Sequence, residues 1–151
     1  MLAEKAADYY TPTHDLNCAE AILYAANDLY SLNLQQETLH AIAGFGGGMA
    51  IEETCGALTG AVAVLGIMLV KDKAHESDLL KEAVTELFKR YELRMGTINC
   101  KELKDRYREE EPVKCRHIVI EAAKVLEELL TEHQDKKQVT QVRGNDQIAT
   151  E

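Results

Sequence analysis

This 151-residue sequence contains no cluster of lysine or arginine, and its acidic residues outnumber the basic ones 26 to 17, a formal charge of −9. Such a surface repels phosphate backbones and anionic lipid, so no nucleic-acid partner is expected. The stretch MLAEKAADYY lacks the basic start and apolar run of a secretory signal, which gives the cytoplasm as the expected location. No apolar run reaches the ~20 residues that a bilayer core requires. The uncharged stretch from Cys55 to Val70 is bounded by Glu52, Glu53 and Lys71, and it reads as a buried central helix rather than a membrane span. There is no C-x-x-C pair, which removes thioredoxin-type chemistry, and the lack of C-x₂₋₄-C knuckles weighs against structural zinc. Strand alternation, internal repeats, low-complexity tracts and linkers are all missing as well.

What is present is helical periodicity, over a length suited to one domain, with 46% apolar residues. A chain of this size buries roughly two thirds of its unfolded surface, so it needs neither a metal nor a disulfide to fold. The spacing predicts helices over Cys18–Tyr30, Gln35–Ala43, Cys55–Val70, Ser77–Leu93 and Cys100–Tyr107, and a long one from Pro112 to His133. On the fourth of these, Leu80, Val84, Leu87 and Tyr91 face inward. Gly44–Gly48 (GFGGG) reads as a plain turn. The expected fold is all-α, a single-domain antiparallel helical bundle over residues 1–133 around a central apolar helix that carries Gly56 and Gly60. A polar, aperiodic tail over 134–151 follows, with the composition of a disordered segment. That tail and the uniformly apolar central helix point to a homo-oligomer, most simply a dimer.

Four cysteines, Cys18, Cys55, Cys100 and Cys115, need a reason in a chain expected where thiols stay reduced. Asn17 is a strong N-cap before Cys18, with Glu20 placed to complete a capping box, and Asn99, Cys100 and Glu102 repeat the arrangement. Thr54 is a third cap candidate, before Cys55. Cys115 lies three residues after Pro112, near a helix start. A helix N-terminus carries about half a positive charge and favours a thiolate, so lowered thiol pKa values are expected. The cysteines also lie on apolar stripes: Cys18 with Ile22 and Leu29, Cys100 with Leu103 and Tyr107, Cys115 with Val119, Ala122 and Leu126. In an antiparallel path with short loops, all four sulfurs gather at one end of the bundle. Cys18 with Cys55, and Cys100 with Cys115, are the slightly favoured pairs. His14 and His117 read as ordinary histidines, and Arg108–Glu111 as a solvated turn.

The ordered set of Asn17-Cys18-Ala19, Gly46-Gly47-Gly48-Met49, Cys55-Gly56-Ala57-Leu58-Thr59-Gly60, Cys100 and Cys115 resembles the C_GCAxxG_C_C family of redox-active proteins. The resemblance covers roughly residues 9–130, and the second element reads C-G-A-x-x-G here. It implies a redox role carried by Cys18, Cys55, Cys100 and Cys115, and it names no substrate. Two chemistries suit these residues: thiol–disulfide exchange, as in an oxidoreductase, or electron transfer through an iron–sulfur centre held by the same four thiolates. The redox partner is left unnamed by either. The competing possibility is a non-catalytic helical interaction protein whose buried cysteines are inert.

Overall fold

The computed structural model describes residues 1–76 and 78–148, and among them are seven α-helices and no strand. The expected all-α fold is found. Helix α1 spans Leu2–Tyr9, α2 Cys18–Leu29, α3 Gln36–Ala41, α4 Gly56–Leu69, α5 Asp78–Met95, α6 Cys100–Tyr107 and α7 Arg116–Ile148. The predicted bounds of α2, α4 and α6 fall within a residue or so of these. The predicted start of α5, Ser77, lies outside the described residues.

Helix α4 is apolar because it is the packing centre: α2, α5 and α7 all lie against it. Its Leu58, Val64 and Leu65 meet Ile22, Leu87, Tyr91, Val119 and Leu126 in one core. Helix α1, which sequence periodicity does not reveal, packs on α2 and α7 through buried Leu2, Ala6 and Ala7. No helix among the described residues is long and apolar enough to cross a membrane.

Two segments differ from their expected form. Pro112 does not open α7. The chain from Glu109 to Lys114 first folds into a turn, with Glu109 N–H donating to Lys114 C=O at 2.8 Å, and the helix begins only at Arg116. It then continues to Ile148 rather than stopping near His133, so residues 134–148 of the expected tail are helical; residues 149–151 lie outside the described residues. The Gly44–Gly48 segment is also more ordered than a plain turn. It holds a 3₁₀ turn at Ala43–Phe45, and a left-handed stretch follows, with φ near +60° at Gly47, Gly48, Met49 and Ala50. Gly48 is obligatory there on two counts. Its φ is left-handed, and a Cβ would lie 2.5 Å from the Glu53 nitrogen and 2.7 Å from the Cys100 Cβ.

Gly60 lets α4 approach the first turn of α2. A Cβ at this position would stand 2.6 Å from the Ala19 carbonyl oxygen, a backbone atom with no rotamer to escape by. Gly60→Ala should therefore destabilise the fold by about 1–3 kcal/mol, despite alanine's better helix propensity. Urea unfolding checks this, and an alanine variant as stable as the parent would show that α2 and α4 are not in close contact.

Candidate thiol site

The helix starts that carry the cysteines are built in three different ways. Asn17 Oδ1 accepts from the N–H groups of Ala19 and Glu20, and Glu20 Oε2 accepts from Asn17 N–H at 2.9 Å, so the expected capping box at α2 is complete. At α6, Asn99 Oδ1 accepts from Glu102 N–H at 3.1 Å, but Glu102 does not return to the cap. Its carboxylate accepts from the Thr97 hydroxyl, and Thr97 Oγ1 accepts from Asn99 N–H, so a threonine is inserted into the box. At α4 the expected Thr54 cap is not formed. Cys55 itself occupies the N-cap position, and Thr54 makes an antiparallel bridge with Asn99. The bridge exists because Cys55 N–H donates to Ile98 C=O and Cys100 N–H donates to Glu53 C=O, tying the approaches to two cysteines together. Cys115 is the last residue of the turn before α7.

All four cysteines line one cavity of roughly 200 Å³. All are free thiols: Cys55 and Cys100 are buried, Cys18 and Cys115 half-buried. Cys18 is the hub. Its sulfur would be 2.5 Å from a Cβ at Gly56, so only glycine leaves it room beside α4. It also raises the pKa of each of the other three thiols, ahead of any other cysteine. Cys18 thus acts electrostatically on all three of the other thiols, and not on Cys55 alone.

The expectation of lowered thiol pKa values is overturned for three of the four. Burial is the largest influence on Cys55, Cys100 and Cys115, and it raises each of them, with Cys55 pushed up to about 12. The backbone N–H groups of Ala57 and Leu58 favour the Cys55 thiolate, yet they do not offset its removal from water. Two tyrosines stand on the thiols, and sequence periodicity does not find them as site residues. The Tyr91 hydroxyl, buried and without another polar partner among the described residues, faces Cys55. The Tyr10 hydroxyl faces Cys115 across the cavity. His14 lies instead against Tyr9, and His117 against Tyr107, both as packing groups.

No group of three His, Cys, Asp or Glu side chains among the described residues is placed to hold a metal ion. As arranged, the donors do not fit a shared metal centre.

A family model described as "Putative redox-active protein (C_GCAxxG_C_C)" matches residues 16–129 of the chain, a stretch that includes every cysteine. No curated protein and no solved structure matches it.

The buried Cys55 thiol makes stability sensitive to alkali. Its folded pKa of about 12 exceeds the unfolded value of about 8.5. A raised folded pKa leaves stability intact below the unfolded value and removes it as pH climbs toward the folded one, by up to about 1.4 kcal/mol per pH unit. Urea unfolding of the parent and of Cys55→Ala between pH 7.5 and 10.5 isolates this group, and the parent's advantage should shrink above about pH 8.5. A pH-independent difference would mean that Cys55 ionises as readily folded as unfolded.

Proposed function

The chain belongs to the C_GCAxxG_C_C family, and from that premise we propose that it performs dithiol–disulfide exchange at the cavity where its cysteines meet. The observation that carries the proposal is that four thiols from four separate helix starts line a single cavity. Inert core cysteines would have no reason to converge, and they would not need Gly56 to keep one sulfur uncrowded.

Cys18 is the entry thiol, being half-buried and lining the same cavity as the other three. Its thiolate attacks one sulfur of a substrate disulfide. The substrate S–S bond breaks, and the departing sulfur takes up a proton. A second protein thiol then attacks the Cys18 sulfur of the mixed disulfide, releasing the other half of the substrate as a thiol. The protein ends with one disulfide, and the substrate has gained two electrons and two protons. Cys55 stays protonated at neutral pH because it is buried, which suits a proton-holding reserve rather than an attacking group. Reduction by an external dithiol reverses the same steps and restores the site, in keeping with a cytoplasmic location.

The reduced protein should consume bis(2-hydroxyethyl) disulfide without denaturant, losing two hydrogens of mass for each disulfide formed. Cys18→Ser should abolish the reaction. Among the other single cysteine variants, the one lacking the resolving thiol should accumulate the mixed disulfide, visible by mass spectrometry. Four unreactive thiols in the folded protein would end the proposal, and an unimpaired Cys18→Ser would reassign the entry point.

We also propose that the protein is a homodimer. One flank of α4, with Val62, Ala63 and Ile67, lines an open apolar groove of roughly 560 Å³ together with Phe45, Met49 and Phe88. A second copy is the partner that covers it most simply. Light scattering should give twice the 16.9 kDa chain mass, and a value equal to the chain mass would remove the dimer.

A further inference from the structure

Although the chain carries a formal charge of −9, the described residues that line the thiol cavity include three cations, Lys104, Arg108 and Lys114, and no carboxylate; Glu52 acts on Cys100 from outside the lining. The arrangement comes from one helix and one turn. Cys100 opens α6, Lys104 follows one turn later and Arg108 caps its end, so the stripe that presents the thiol also presents two charges. Lys114 enters from the turn that delivers Cys115. The segment Arg108–Glu111, expected to be a solvated turn, thus sends its arginine to the site.

Little inside the cavity answers this charge. Burial keeps Cys55 neutral at physiological pH and raises Cys100 and Cys115 as well. Glu111 pairs with Lys114 at 3.2 Å and with Arg108 at 3.6 Å, but it is exposed and outside the cavity, and a surface pair of that kind is worth little. Lys104 makes no ion pair among the described residues, whereas its neighbour Lys101 pairs with Asp105. Asn17 cannot serve a ligand either, since its side chain is committed to the α2 cap and to the Ala43 carbonyl.

We infer that the substrate of this site is a small, carboxylate-bearing disulfide, whose negative charge the Lys104–Arg108–Lys114 rim receives while its sulfur is offered to Cys18. The inference rests on the exchange chemistry proposed above. A cavity of roughly 200 Å³ is below the usual range of about 300–1,000 Å³ for drug-sized ligands, so it admits a short disulfide or one end of one. The reaction is balanced as before: two protein thiols become one disulfide, and the acidic disulfide leaves as two carboxylate-bearing thiols.

Three disulfides that differ mainly in charge test this: 3,3′-dithiodipropionate, bis(2-hydroxyethyl) disulfide and cystamine. Each rate with the reduced full-length protein is divided by the rate with N-acetylcysteinamide, a neutral thiol, which removes differences in leaving group. At low ionic strength the normalised rate should be about tenfold higher for the dianion than for the neutral compound, and lowest for the dication. Raising the salt to 0.1 M or more, where the screening length is about 10 Å, should compress this order. The dianion-to-neutral ratio should survive Lys104→Arg, fall toward one in Lys104→Gln and invert in Lys104→Glu. Because it is a ratio on one folded protein, a general loss of thiol reactivity does not move it. Cystamine as the fastest substrate, which the overall charge alone would produce, overturns the inference but leaves the exchange chemistry standing, as does a ratio indifferent to the residue at 104. No reaction with any of the three overturns both.

Discussion

The first turn of α2 lies against α4 at a separation that only glycine permits. Gly56 leaves room for the Cys18 sulfur, and Gly60 for the Ala19 carbonyl. A methyl group at either position would collide within 3 Å, and at Gly60 the opposing atom belongs to the backbone. This crossing puts Cys18 beside Cys55, and since α4 also carries α5 and α7, it fixes the centre from which the other helices are placed. The cavity is therefore tied to how two helices cross, and each of the four thiols that line it begins or precedes a helix.

Two opposing effects act on those thiols. A helix N-terminus favours the thiolate by roughly 0.3–1 kcal/mol in exposed settings and up to about 2 in favourable ones. Each pKa unit of desolvation costs about 1.4 kcal/mol, so a displacement of several units exceeds what the dipole supplies. Cys55 is 3% exposed, and there burial wins. Position on a helix is thus a poor guide to thiol reactivity unless depth is known too. The result is a graded set, with half-buried Cys18 and Cys115 toward the opening and Cys55 and Cys100 behind them.

The parts of the architecture legible from sequence are those with local causes. Asn17 and Asn99 mark helix starts because their side chains satisfy backbone donors within three residues, and both caps are formed. The uncharged run from Cys55 onward is a core helix because charge is costly where it lies. The convergence of the cysteines follows from knowing those starts. The illegible parts depend on tertiary contact. Helix α1 buries mainly alanines, too weakly apolar to leave a periodic signal, and it is held by α2 and α7. Thr54 has the chemistry of a cap, but a bridge to Asn99 takes it first. The cationic rim escapes notice because Lys104, Arg108 and Lys114 form no run in a sequence that is acidic overall. They become a cluster only when the turn before α7 folds back.

The bridge between Thr54 and Asn99 has one more consequence. It is a strand pairing one residue long, with Glu53 and Ile98 accepting the amides of Cys100 and Cys55, in a fold whose other elements among the described residues are helical. Neither hydrogen bond belongs to a helix, so neither is protected by the cooperative unwinding of α4 or α6. Both break or persist together, because separating the two segments at one point removes the other contact as well. The deepest pair of thiols therefore shares a single local opening event, and amide hydrogen exchange at these two positions measures one free energy, not two.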